Sequence, residues 1–315
     1  MSSLRPFARG SLAGSIASVS AAALASGALL PIDTGFEFVE DGGVQFFVRV
    51  LANIQRKSDQ RAAEERSAAA GRPFNPFLPY EQALFVADVS ETHVAILNKF
   101  NVVDHHLLIV TREFEEQRAL LTLRDFEAWW RCLSEYESLG FYNGGAEAGA
   151  SQSHKHLQLV PLPLAPQGPP VPIEPLLAQV REAAGSATIP GFDFSHAFAV
   201  LGAAASGRAA AREAFKCYAS MLEQVGLRPP SGSGTDLQSG PYCLIVTREW
   251  LLLVPRSREF FEAISINALG FAGALLVRNE EHLRTLREAG PLRALRETAL
   301  PPRKSRPGAD RRLPC

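Results

Sequence analysis

Apolar positions along the chain fall into two periods, and each predicts a different element. Short runs of Val, Ile and Leu, separated by turn residues, predict strands at 84–89, 93–99 and 106–111. From 122 the period changes. Phe126, Trp129, Trp130, Leu133 and Tyr136 recur at helical spacing behind Thr122 and Asp125, a capping-box start, and Gly140 is a natural stop. Strands are expected again at 141–143 and 154–160. Later come a helix at 173–184, a strand at 196–201, an Ala-rich helix at 203–226 and a strand pair at 242–246 and 250–254. Near the start, Arg5 and Arg9 precede a run of small and apolar residues at 11–30. It is expected to form a helix packed on the body and ending near Gly27, with a signal peptide as the alternative. Residues 36–51 predict a hairpin around Asp41-Gly42-Gly43.

Breaks in the pattern set the organisation. Residues 56–72 are polar and Ala-rich, a mobile loop or frayed helix, and the prolines of Asn75-Pro76-Phe77-Leu78-Pro79-Tyr80 make a stiff connector. Seven prolines between Pro161 and Pro175 read as a semi-rigid linker between two halves. A Ser/Gly loop is expected at 230–240, and a disordered Pro/Arg-rich end from Pro301. The hexapeptide Leu-Ile-Val-Thr-Arg-Glu at 108–113 recurs at 244–249, by chance or through a duplicated half. Short strands mixed with helices give an α+β fold around a mostly antiparallel sheet. The expected units are 1–165, 166–302 and a tail at 303–315.

Charge narrows the function. The net charge of −1 argues against bulk attraction to nucleic acid or an anionic membrane, so an anion needs a local pocket. Beyond residues 11–30 no apolar run has transmembrane length and composition. Cys132, Cys217, Cys243 and Cys315 are scattered without CxxC spacing, which points to neither a zinc site nor a disulfide framework and suits a reducing cytoplasm.

The chemistry concentrates at 140–161. A loop rich in Gly, Ala and Ser runs from Gly144 to Ser153 and leads into His154-Lys155-His156-Leu157-Gln158. On a strand, His154, His156 and Gln158 share one face, while Lys155, Leu157 and Leu159 share the other. Small residues with free backbone N–H groups suit an anion. An imidazole with one nitrogen held by an acceptor and the other free attacks phosphorus well. Gln158 can hydrogen-bond a phosphate oxygen but cannot exchange a proton near neutral pH, so the site favours an acceptor that arrives anionic over water. Two histidines at this spacing also suit a metal, yet no nearby cysteine or acid completes a tetrahedron. Neighbours in a strand face opposite ways, so His105 and His106 read as turn and strand structure. His93, His196 and His282 read as structural or surface residues.

Taken together, these residues resemble the diadenosine tetraphosphate phosphorylases, or ATP adenylyltransferases, of the histidine-triad-like superfamily that includes galactose-1-phosphate uridylyltransferase. The resemblance extends through the 75–81, 97–103, 106–111, 242–257 and 267–271 segments. It implies reversible phosphorolysis of diadenosine tetraphosphate to ATP and ADP, with His156 as the nucleophile that holds AMP. It implies a phosphate contact at Gln158, substrate contacts at Lys57, Asn98, Lys99, Asn143 and His154, and a phosphate cradle at Gly149, Ala150, Ser151 and Gln152. Asn267, Ala268, Leu269, Ala274 and Arg278 would line the far nucleotide. Family members carry lysine in place of Arg278 and small hydroxyl residues in place of Ala268 and Leu269, so contacts there become backbone or apolar. Lys57, Lys99, Lys155 and Arg278 are the expected neutralisers of the polyphosphate, Lys155 the weakest since it faces away. Mg²⁺ is expected to bridge substrate phosphates, with no protein cage, no organic cofactor and a monomeric chain. The rivals are a dinucleoside polyphosphate hydrolase, sulfate-dependent adenylyl transfer on ADP, and a non-catalytic nucleotide sensor.

Overall fold

Leu12, Ile16, Ser20 and Ala23 stand three or four residues apart and form the buried stripe of α1 (Leu12–Ser26), which Gly27 ends in the left-handed conformation. A computed structural model describes residues 6–52, 75–181, 188–202, 207–229, 231 and 236–302. The segment expected to be mobile at 56–72, Lys57 within it, and the tail from 303 lie outside these residues.

The expected hairpin forms from β1 (Thr34–Asp41) and β2 (Val44–Leu51). Asp41 pairs with Val44 across Gly42 and Gly43, whose φ values of 56° and 81° are the positive pair such a two-residue turn demands. The following strands are β3 (Phe85–Asp88), β4 (His93–Leu97) and β5 (Leu107–Thr111). Next come α2 (Leu123–Leu133), β6 (Ser138–Gly144), β7 (His156–Pro161), α3 (Glu174–Arg181), β8 (Ala197–Val200) and α4 (Gly207–Val225). The chain continues through β9 (Tyr242–Val246), β10 (Trp250–Pro255), β11 (Phe260–Phe261), β12 (Ile264–Ser265) and α5 (Ala268–Phe271). It closes with β13 (Ala274–Val277), α6 (Glu280–Ala289) and α7 (Pro291–Thr298).

Eight strands form one antiparallel sheet in the order β3-β4-β5-β7-β6-β9-β10-β8. The fold is α+β. Alternation divides the side chains. Leu107, Ile109, Leu157, Leu159, Leu244 and Leu251 point to the face covered by α1, α2 and α4. Phe141, Val160, Ile245 and Leu252 point to the other, where β1, β2, β13 and the last three helices pack. The repeated hexapeptide lies on and just after β5 and β9, which flank the central β7–β6 pair.

Two expectations change. The helix stops at Leu133, and Gly140 lies inside β6. A Cβ there would sit 2.4 Å from Trp129 Nε1, so glycine lets the indole rest on the strand backbone. The Pro-rich segment also does more than link two halves. Leu164, Val171 and Ile173 are buried in the core, and β6 pairs with β9, so both halves share one sheet.

Candidate active site

His156 opens β7, opposite Val110 of β5. Its ring is buried and lies 5.3 Å from the Phe77 ring. Nδ1 is 2.8 Å from the His154 carbonyl. A carbonyl only accepts, so Nδ1 carries the proton and the neutral ring keeps its lone pair on Nε2. No hydrogen bond holds that Nε2 among the described residues. Burial pushes the imidazole down to about 4, against the pull of the His154 carbonyl and with a further push from the His154 ring. His156 is therefore neutral at pH 7.

His154 faces the same side, as its spacing from His156 predicts. Its Nε2 donates to the Thr111 carbonyl at 2.9 Å, and its Nδ1 accepts from Asn75 Nδ2 at 3.0 Å. Phe77 packs against both imidazoles. The connector at 75–80 thus reaches the site.

Gln158 pairs with a residue that sequence reading assigned to structure. His106 Nε2 lies 3.0 Å from Gln158 Oε1, and His106 Nδ1 lies 3.1 Å from Asn98 Nδ2. Oε1 is an acceptor, so His106 donates from Nε2 and accepts from Asn98 at Nδ1. Burial lowers the His106 imidazole to about 4, despite the bond to Gln158 and helped by His156 nearby. The neutral ring thus fixes which way the Gln158 amide points. With Oε1 engaged, its NH₂ is the group left to donate to a ligand. Position offered the missed signal: His106 lies two residues before Leu108 and shares its face, opposite Gln158.

Asn143 belongs to β6, and its Oδ1 accepts from the Ala268 N–H at 2.9 Å. Gly149, at φ 91°, lies so close to Asn267 that a Cβ would stand 2.9 Å from Asn267 Cβ. Asn267 caps α5 through a 3.0 Å bond from Leu269 N–H. The structure therefore gathers Asn143, Gly149, Asn267 and Ala268 at one end of β6. Ala150 bonds back to the Gly145 carbonyl at 3.1 Å, while Ser151 is exposed and Gln152 half-buried. The fully buried Arg256 braces this corner, donating to the Ile266 carbonyl at 2.8 Å and to Cys243 Sγ at 3.2 Å.

Not every expected residue joins this cluster. Lys99 pairs with Glu81 at 2.6 Å, partly in solvent. Ala274 and Arg278 lie on and just after β13, which pairs with β2 in a three-stranded sheet with β1, and Arg278 is exposed. Lys155 is corrected outright as a phosphate neutraliser. Its Nζ is fully buried on the helical face, 2.7 Å from Glu115 and 3.3 Å from Asp125. Lys155 lies between the isolated bridge of His154 with Glu116 and β7, and extended backbone there turns it to the face opposite His154 and His156. His93 joins the same cluster through Asp125 at 2.9 Å. Burial alone would raise the Asp125 carboxyl, but His93 and Lys155 hold it well below the usual carboxylate range.

Gln117 also escaped sequence reading. It is buried, accepts from the His156 N–H at 2.9 Å and donates to the Asn143 carbonyl at 2.8 Å. No motif marks it, because it lies far from both in sequence.

Two family models together match most of the chain. The model of the Ap4A phosphorylase N-terminal domain matches residues 2–179. That of the ATP adenylyltransferase C-terminal domain matches 190–301. Diadenosine 5',5'''-P1,P4-tetraphosphate phosphorylase 2 of Saccharomyces cerevisiae is 27% identical over 271 residues, covering 78% of this chain and 79% of the relative. The crystal structure of yeast Ap4A phosphorylase Apa2 superposes with a TM-score of 0.74 at 23% identity, over 93% of this chain and 98% of that one. Its complex with Ap4A gives a TM-score of 0.73 at 23% identity, over 93% and 98%. At that identity the superposition shows a shared fold.

Proposed function

The chain belongs to the Ap4A phosphorylase family, and on that footing we propose that it splits diadenosine tetraphosphate with inorganic phosphate into ATP and ADP, reversibly, by way of an adenylyl group carried on His156. The observation that supports this most is the bond from His156 Nδ1 to the His154 carbonyl, which leaves the Nε2 lone pair available.

In the first half-reaction the Nε2 lone pair attacks the α-phosphorus. The Nε2–P bond forms as the bridging P–O bond breaks, and that electron pair leaves on ATP. The ring gains positive charge, and its Nδ1–H donation to a carbonyl strengthens accordingly. In the second half-reaction a phosphate oxygen attacks the same phosphorus. The electron pair returns to Nε2, and ADP departs. No proton needs to reach the leaving ATP, whose terminal phosphate carries the charge.

Gln158 explains the choice of acceptor. Its NH₂ can hold a phosphate oxygen, and its orientation is fixed by His106. Neither it nor His106, whose free-base nitrogen accepts from Asn98, deprotonates an incoming water. Phosphate arrives already anionic and needs no base. Mg²⁺ would enter with the polyphosphate, its charge offset by the substrate's own phosphates. Asn143 and the Gly149 loop would receive the adenylyl moiety, and Asn267 and Ala268 the neighbouring nucleotide.

Product analysis tests the reading. With phosphate present, ATP and ADP should form in equal amounts. Without it, turnover should stop after adenylylation. Continuous release of AMP and ATP in the absence of phosphate would instead mark a hydrolase.

A further inference from the structure

Gln117 interrupts the sheet where the chemistry takes place. β6 and β7 pair regularly from Ser138 opposite Pro161 to Phe141 opposite Gln158. Continued in that register, Asn143 would face His156 and bond it directly. Instead the ladder stops and the Gln117 carboxamide stands between them. Its Oε1 takes the His156 N–H at 2.9 Å, and its Nε2 gives to the Asn143 carbonyl at 2.8 Å. Two hydrogen bonds in series replace one, so the strands part by the width of an amide at the level of the nucleophile.

This is not a strand simply ending. On its other edge β6 keeps pairing with β9 through Asn143 and Gly144. Nor is the wedge loose. Gln117 is 3% exposed, its N–H donates to the Ser153 carbonyl at 2.7 Å, and its carbonyl accepts from the Tyr142 hydroxyl. The side-chain amide bridges Asn143 and His156, and the backbone N–H and carbonyl anchor it to Ser153 and Tyr142.

We infer that Gln117 is a positioning residue that holds the sheet open between the nucleophile strand and the Asn143 strand, and so sets the distance from His156 to the α-phosphorus. The inference rests on His156 as the nucleophile. In-line attack tolerates little misplacement, and an error near 1 Å costs about 100-fold in rate.

The test is the rate of adduct formation from radiolabelled diadenosine tetraphosphate without phosphate, in wild type, Gln117→Ala and Gln117→Glu, each checked for its melting temperature. Gln117→Ala should form adduct about 100-fold more slowly, with KM changed far less. Gln117→Glu adds a signature that space-filling alone lacks. Protonated, its carboxyl can accept from His156 and donate to Asn143; ionised, it loses the donor and faces a carbonyl oxygen. Its rate relative to wild type should therefore climb as pH falls. His154, His156, Tyr142, Glu115, Glu116 and Lys155 flank the position in both enzymes, so their titration cancels in that ratio. Wild-type rates in Gln117→Ala, or a ratio for Gln117→Glu that is flat in pH, overturn the inference. If the alanine variant fails to fold, the glutamate variant carries the test. A wild type that forms no adduct overturns the assignment of His156 itself, and this inference with it; a wild type with adduct and unaffected variants overturns this inference alone.

Discussion

At the scale of single residues, one imidazole has to be neutral with the correct nitrogen bare. Burial holds His156 at about 4, below the 6.5 of a free imidazole. The adenylylation half-reaction should therefore stay level from neutral pH down toward about 5, then fall as the ring takes a proton. A midpoint near the free value would show the ring to be solvated. His106 gives a second prediction. His106→Leu removes the donor that orients Gln158 and should lower kcat by about tenfold, the equivalent of one hydrogen bond. His106→Gln, which can still donate, should recover part of it, and stopped-flow or quench kinetics would show whether it does. Gln158→His offers a proton acceptor beside the phosphorus and should raise hydrolysis relative to phosphorolysis; an unchanged product ratio would count against this view of Gln158. The period-two alignment of His154, His156 and Gln158 was legible in the sequence because a strand fixes it. Their partners were not, apart from the face that His106 takes on its own strand. Gln117, His106 and Asn75 reach the site only once distant strands and loops are brought side by side.

At the scale of elements, alternation along the strand after Ser153 separates two kinds of polar residue. His154, His156 and Gln158 face the candidate site, while Lys155 anchors this segment to α2 from behind. Asp125 caps that helix on Thr122 and also receives Lys155 and His93. Lys155→Met would leave the Asp125 charge with less compensation in a buried place. It should cost about 3 kcal/mol of stability, read from denaturant unfolding, while KM for diadenosine tetraphosphate stays unchanged. A raised KM with intact stability would restore Lys155 as a phosphate ligand. The capping box was legible because its two residues are local. The helix end was not, since Gly140 looks like a stop until Trp129 is seen resting on it. Gly140→Ala should cost about 2 kcal/mol or more by forcing the indole aside, measurable as a lowered melting temperature.

At the scale of the whole molecule, the strands and helices were legible from their periods, but the single sheet was not. Nothing local announces that β6 will pair with β9, so the prolines between them read as a spacer between halves, although their apolar neighbours Leu164, Val171 and Ile173 belong to a common core. The buried site also sets how stability responds to acid. His156 and His106 are lowered to about 4 in the fold and titrate near 6.5 when unfolded, so the unfolded chain binds more protons between those values. Stability should be full above about 6.5 and fall as pH drops toward about 4, with the depressed Asp125 carboxyl adding to the loss in stronger acid. The central claim is that AMP passes through His156, and peptide mass spectrometry after incubation with diadenosine tetraphosphate alone tests it most directly. One AMP should appear on the peptide bearing His156, should vanish into ADP when phosphate is added, and should be absent from His156→Gly. Phosphate-dependent ATP and ADP from an enzyme that never carries AMP, or AMP that persists on the His156→Gly protein, would contradict it.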